Sequence, residues 1–324
     1  MTHAIRLHAH GGPEVMKWEE VVVGAPGANE VRLKTTAIGL NFIDTYHRSG
    51  LYPIPLPSGL GLESAGIVEA LGANVTDLKI GDRVACASAP IGAYSETRLM
   101  PADKLVKIPA GVSDQQAASM MLKGMTAQYL IRRTFRVKPG DTILMHAAAG
   151  GVGSIVCQWA KHLGATVIGT VGSEAKVALA RSYGCDHVIN YATEDFVARV
   201  TEITGGKKCN VVYDGVGKDT FLKSLDCARP LGTVVIFGNA SGAVPPFDLG
   251  QLAVKGSLFV TRPMLASYTG TRDDLVATAN DLFDVVARGI VKIEINQTYA
   301  LKDAGEAHRD LEARKTTGST VLIA

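Results

Sequence analysis

The run Ala148-Ala149-Gly150-Gly151-Val152-Gly153 follows directly on a short apolar stretch, Thr142 to Met145. Residues without a β-carbon let a backbone turn tightly and approach a ligand closely. A helix that springs from such a turn aims free N–H groups and the positive end of its dipole at whatever lies there. Helical spacing begins at once, with Val152, Ile155, Val156, Trp159 and Leu163 on one face and Gly164 as the stop. Strand, glycine turn and helix in that order form a cradle for the pyrophosphate of a dinucleotide, with Gly151 and Val152 at the helix start. The run departs from G-x-G-x-x-G at its first position, where Ala148 stands for glycine.

The next apolar run, Thr166 to Val171, ends at Gly172-Ser173. This lies about 20 residues beyond the glycine turn, where an NAD site places Asp or Glu on the ribose 2′-hydroxyl. No carboxylate stands at those two positions. Ser173 is suited to cap a helix and Lys176 falls in its first turn, offering a hydroxyl, N–H donors and a cation to a 2′-phosphate. The pattern predicts NADPH as the cofactor.

These residues need a scaffold, and the surrounding pattern supplies one. Val167 to Val171, His187 to Ile189, Val211 to Tyr213, Val234 to Phe237 and Leu258 to Val260 read as strands alternating with helices. One helix should start after Thr193, carry Phe196, Val197, Val200 and Ile203 on its apolar face, and end at Gly205-Gly206. The alternation predicts an α/β fold with a doubly wound parallel sheet that binds ligand beyond its carboxyl ends. Residues 1–122 differ, with Val31 to Thr36, Ala65 to Ala70 and Arg83 to Ala85 as strands between glycine and proline turns, as in a β-barrel-type domain. An amphipathic helix over Arg272 to Arg288, carrying Leu275, Ala279, Leu282, Phe283 and Val286, and a final strand over Thr320 to Ile323 are placed with that first domain. The expected division is 1–122 with 264–324 against 123–263, consistent with 324 residues at about 150 per domain.

Composition excludes several classes. A net charge of +2 gives no field strong enough for nucleic acid or an anionic membrane. The cysteines, Cys86, Cys157, Cys185, Cys209 and Cys227, are odd in number and show no C-x-x-C spacing, so neither a disulfide framework nor a zinc knuckle is expected. Met1 to Gly12 lacks the apolar core of a signal peptide and no run reaches a membrane span, so the expected location is the cytoplasm.

From Gly140 through Gln158 to Lys161 the chain resembles the quinone oxidoreductase, or zeta-crystallin, family of the medium-chain dehydrogenase/reductase superfamily. Asn41-Phe42-Ile43-Asp44-Thr45-Tyr46, Arg48-Ser49-Gly50-Leu51-Tyr52-Pro53, Phe237-Gly238-Asn239 and Val260-Thr261-Arg262-Pro263 extend the similarity along the chain. The resemblance implies a Rossmann sheet joined to a GroES-like catalytic domain, a homodimer, and hydride transfer from NADPH to a quinone. Reduction of 2-alkenals or enones is the rival activity, and a non-catalytic NADPH- or RNA-binding role is a third reading. Zinc alcohol dehydrogenases place a cysteine near Asn41 and a histidine in a Gly-His-Glu segment, whereas this chain reads Gly61-Leu62-Glu63, so no metal is expected.

The resemblance also implies residue roles. Asn41, Asp44 and Tyr46 would line the cleft at the nicotinamide and ribose, Thr126 would lie beside the cofactor, and Tyr52 would meet the substrate. Gly151 and Val152 would take the pyrophosphate, and Gly172, Ser173, Lys176 and Tyr191 the adenosine phosphate. Phe237, Gly238 and Asn239 would follow the fifth strand, Val260 and Thr261 would sit near the carboxamide, and Arg314 would reach a phosphate from the tail. Glu63 and His146 are read as structural, and His47 as a surface residue.

Overall fold

Parallel strands buried on both faces read as continuous apolar runs, and the middle of the chain contains six parallel strands, the central ones of this kind. In the computed structural model, which describes residues 1–324, they are Thr142–Met145, Thr166–Val171, His187–Asn190, Cys209–Asp214, Ala228–Ile236 and Phe259–Thr261. Across the sheet the order is third, second, first, fourth, fifth, sixth, with every neighbouring pair parallel. The winding reverses between the first and fourth strands, which is where such sheets bind ligands. Leu144, Ile168, Ile189, Val212 and Val234 are completely buried at its centre.

Local chemistry sets two helix starts, one as expected and one not. The helix expected after Thr193 is Phe196–Ile203, capped by Asp195, whose carboxylate accepts from the N–H groups of Val197 and Ala198. Ser173 makes no side-chain capping bond. A 3-10 turn, Glu174–Lys176, follows it, and the helix Val177–Ser182 comes next. Lys176 therefore lies at the junction of the two elements.

Besides a two-stranded sheet of Thr2–Leu7 and Met16–Val21, the chain forms a seven-stranded sheet organised on Glu30–Leu40, which pairs antiparallel with Glu63–Leu71, Thr97–Pro101 and Ser319–Ile323. The tail thus returns as a strand, with Ile295–Ala300 parallel beside it. Two buried clusters fill this part, one around Ile38, Tyr94 and Leu322 and one around Leu33, Val84 and Met100.

The chain divides into two units, Met1–Lys123 with Thr269–Phe283 and Ile293–Ala324, and Gly124–Tyr268 with Asp284–Lys292. Two segments go with the nucleotide sheet rather than with the first unit as expected. The Tyr268 ring stacks on Tyr129 at 4.4 Å and its carbonyl accepts from Arg133. Gln158 bonds both the N–H and the carbonyl of Lys292.

Candidate active site

The cradle is built by what its glycines allow. A β-carbon on Gly153 would lie 2.3 Å from the Ala147 carbonyl oxygen and 2.8 Å from the Ala148 Cα, both rigid backbone, so only glycine lets the helix Gly151–His162 approach the strand before it. Ala148 stands at the first glycine position of the motif, and Gly169 on the second strand faces it. A β-carbon at 169 would come within 2.6 Å of Cys185 Sγ and 2.7 Å of the Ala148 methyl, so Gly169 leaves the space that the methyl fills. Ala147 turns the chain at φ +53°, and its carbonyl accepts from the Gly150 N–H at 2.9 Å. Gly151 and Val152 are half-buried at the helix start, with no acidic residue in the first turn, and their N–H groups have no intrahelical acceptor. The cradle fits a pyrophosphate.

At the end of the second strand, Gly172 is exposed and the Tyr191 hydroxyl lies 2.5 Å from where its β-carbon would be. The phenol therefore lies across a backbone kept bare by glycine. Ser173 and Lys176 are half-buried in the same turn, and the nearby Glu174 carboxylate accepts from Asn190 Nδ2 at 3.5 Å. Phe237, Gly238 and Asn239 form the loop after the fifth strand, packed so closely on Gly215 that a β-carbon at 238 would meet its carbonyl at 2.5 Å. Val260 and Thr261 lie in the sixth strand, opposite Val234 and Val235. Thr126 is 6% exposed.

The remaining site residues lie in the first unit, where Asn41 precedes the helix Phe42–Ser49. Its amide orientation follows from its partners, because Nδ2 donates to the Gly39 carbonyl at 3.1 Å and to Glu63 Oε2 at 2.7 Å. Both amide hydrogens are spent, so the only hydrogen-bonding capacity left on the Asn41 side chain is that of its oxygen, an acceptor. Glu63 is completely buried and also takes the Leu122 N–H at 2.7 Å and the Lys123 ammonium at 3.1 Å. Gly39 makes room for this carboxylate, since a β-carbon there would lie 2.1 Å from Glu63 Oε2. Tyr46 and Tyr52 pack edge-on at 5.1 Å. Arg314 is exposed, at φ +59° in the turn after the helix Ala304–Glu312.

Against this geometry, two family models match, that of the alcohol dehydrogenase GroES-like domain over residues 27–110 and that of zinc-binding dehydrogenase over 151–280. A quinone oxidoreductase of Pseudomonas aeruginosa is 56% identical over 324 residues, covering all of both chains. The chain belongs to the quinone oxidoreductase family of medium-chain dehydrogenases/reductases. Within that family, the crystal structure of Escherichia coli quinone oxidoreductase complexed with NADPH superposes with a TM-score of 0.98 at 52% identity, covering 99% of this chain and 100% of that one. A 2-haloacrylate reductase from Burkholderia sp is 50% identical, covering 100% of this chain and 99% of its own.

Two residues are more deeply buried than the sequence reading expected. Asp44 has no exposed surface with which to meet a cofactor. It sits at the third position of the helix Phe42–Ser49, and its Oδ2 accepts from the Asn41 N–H at 2.9 Å and the Tyr94 hydroxyl at 2.9 Å. It fixes the backbone of Asn41 instead. His47, expected at the surface, is only 8% exposed and packs edge-on to Tyr52 at 6.2 Å, and burial lowers its pKa. Its helix is short and covered on more than one side.

Sequence reasoning missed the rest of the Asp44 network. Tyr94 Oη meets His308 Nε2 at 3.1 Å, and Arg48 lies 2.9 Å from His308 Nδ1 and 2.7 Å from Glu312. Arginine only donates, so His308 carries its proton on Nε2, and the Tyr94 hydroxyl donates to Asp44. Burial and the Arg48 charge hold the His308 pKa down to about 3. These partners lie up to 264 residues apart, and no local spacing announces them. Lys123 did leave a signal, as a lone cation inside the apolar helical run Ala117 to Ile131.

Burial raises the Asp44 pKa from 3.8 to about 7, against the lowering effects of the Asn41 N–H, the Tyr94 hydroxyl and Lys123, with Glu63 adding to the rise. The folded state therefore favours the protonated acid. Its contribution to stability is complete below about pH 4 and is lost as pH rises through about 7. Asp44→Asn removes this titration, so melting temperatures should show the variant gaining on the parent as pH climbs from about 4 to about 8. A constant difference across that range would refute the assignment.

Proposed function

We propose that the chain reduces quinones with NADPH, by hydride transfer and without a metal. The observation that carries the reading is the full-length similarity to quinone oxidoreductases, one of them solved with NADPH, on a chain whose own glycine cradle fits a pyrophosphate. NADPH, when bound, supplies the hydride. The helix-start N–H groups of Gly151 and Val152 hold the pyrophosphate, and Ser173, Lys176 and Tyr191 receive the 2′-phosphate end. Gly172 lets that phosphate end come close, and Phe237, Gly238, Asn239, Val260, Thr261 and Thr126 border the cofactor, with Arg314 as a further phosphate contact. Asn41 accepts from a ligand hydroxyl, and Tyr46 supports Tyr52 against the acceptor. A quinone is already electrophilic, so the chain has to orient it and let solvent or a hydroxyl return a proton to the reduced oxygen.

Metal independence rests on donor chemistry. The resemblance to zinc alcohol dehydrogenases implies a zinc-ligand cysteine near Asn41 and a ligand histidine at Leu62, neither of which this chain has, and no group of three or more His, Cys, Asp or Glu side chains is arranged to hold an ion. Turnover should survive exhaustive chelation. Loss of activity restored by zinc would overturn this part of the reading.

The 2-haloacrylate reductase relative favours a second reading, reduction of an activated carbon–carbon double bond. A panel of 1,4-benzoquinone, 9,10-phenanthrenequinone and short 2-alkenals with NADPH separates the two. The quinones should give the highest kcat/KM, and turnover of the alkenals alone would reverse the assignment.

A homodimer is supported by the edge strand Phe259–Thr261, beside which Phe259, Leu231 and Met264 expose about three-fifths of their surface (62%, 62% and 61%). Sedimentation should give twice 34.1 kDa, and Phe259→Lys should shift the protein toward monomer. A sedimenting species of one chain mass would rule the dimer out. We place the enzyme in the cytoplasm on its five unpaired, buried cysteines. No helix is long and apolar enough to cross a membrane, and the small net charge supports neither a nucleic-acid nor a membrane partner.

A further inference from the structure

A buried hydrogen-bonded chain runs beneath the nucleotide sheet's carboxyl ends. His146, the residue before the cradle, is completely buried, with Nδ1 2.9 Å from Thr170 Oγ1 and Nε2 3.0 Å from Ser224 Oγ. Ser224 donates to Asp214 Oδ2 at 2.8 Å. Asp214 also takes the N–H groups of Val216 and Gly217 at 2.9 and 3.0 Å and the Thr220 hydroxyl at 2.7 Å.

The proton arrangement is determined by these partners. The Ser224 hydroxyl gives its hydrogen to Asp214, so its oxygen accepts from His146 Nε2–H. Neutral imidazole then leaves Nδ1 to accept from the Thr170 hydroxyl. Burial lowers the imidazole pKa, opposed by Asp214, so the neutral tautomer persists. The Phe196 ring closes the site edge-on at 5.0 Å.

Each end of the chain controls a segment that the cofactor reading uses. Thr170 stands two residues before Gly172, and its carbonyl accepts the Ala148 N–H of the cradle at 3.0 Å. Asp214 folds the turn whose Gly215 and Val216 carbonyls accept from Ala240 and Ser241, holding the Phe237–Asn239 loop in place. His146 itself leads into Ala147, whose left-handed turn opens the cradle.

We propose that His146 is a positioning residue that sets the cradle, the Gly172-Ser173 turn and the Phe237–Asn239 loop in mutual register for the dinucleotide. The proposal rests on the NADPH reading above. It acts through backbone placement, so it should govern cofactor affinity more than the chemical step.

The test uses His146→Leu, and the pair Thr170→Val and Thr170→Ser, which remove and keep the hydroxyl. Ile189→Val, in the same core but outside the network, controls for simple destabilisation. Titrations of the intact protein with NADPH and with 2′,5′-ADP, alongside quinone kinetics, give the readouts. His146→Leu and Thr170→Val should raise the NADPH Kd about tenfold, with a smaller change in kcat, while Thr170→Ser and Ile189→Val stay near the parent. If His146→Leu does not fold, the Thr170 pair still decides. Unchanged Kd in Thr170→Val, with a parent that binds NADPH, would overturn the positioning role alone. Failure of the parent to bind would overturn the cofactor reading with it.

Discussion

Lys123→Met should cost the protein about 3–5 kcal/mol, read as a lowered urea midpoint for the transition that unfolds the first unit. The Lys123 ammonium lies 3.1 Å from Glu63 Oε2, with side-chain exposures of 7% and 0%. Removing one member of so buried a pair leaves the other without its counter-charge in a medium that solvates it poorly. The Asn41 amide and the Leu122 N–H still bond the carboxylate, but neither carries a full charge. Adding Glu63→Gln to the same protein should recover much of the loss, since a neutral amide needs no ammonium. A single-variant loss below about 1 kcal/mol would show that the pair behaves like an exposed one. Because Glu63 orients Asn41, the single variant should also weaken whatever ligand hydroxyl Asn41 accepts.

Lys176→Ala should weaken NADPH by about 1.5–3 kcal/mol, roughly ten- to hundredfold in Kd, and leave NADH nearly unchanged. The two coenzymes differ only in the 2′-phosphate, so the ratio of their losses isolates that contact from any general damage. Lys176 is half-buried at the junction of a 3-10 turn and the helix Val177–Ser182, in the same turn as Ser173 and close in sequence to the glycine that Tyr191 covers. Direct titration of both coenzymes into the parent and the variant gives the ratio. Equal losses would remove Lys176 from phosphate recognition.

The nucleotide sheet was legible because short apolar runs bounded by turn residues alternate with amphipathic helical stretches. Thr142 to Met145 and Thr166 to Val171 are strands over the same residues in sequence and structure. The cradle was legible for a steric reason, as only glycine at 153 tolerates the backbone 2.3 Å from its missing β-carbon. Asp44 was legible in place and misread in role. An Asn followed three residues later by an acid is a helix-start signature, and that reading explains a side chain with no exposed surface. His47 is buried because the helix Phe42–Ser49 is covered on more than one side, which an eight-residue stretch of sequence does not reveal. The networks of His146 and His308 were out of reach, since their partners stand 24, 78, 214 and 260 residues away. Such contacts exist only once the sheet has formed.

The measurement closest to the central claim is calorimetric titration of the chelated, metal-free protein with NADPH, followed by anaerobic addition of 1,4-benzoquinone. The account predicts saturable NADPH binding, tighter than NADH, and consumption of one NADPH for each quinone reduced. Absence of NADPH binding by folded protein, or a bound coenzyme that no quinone oxidises until zinc is restored, would contradict it.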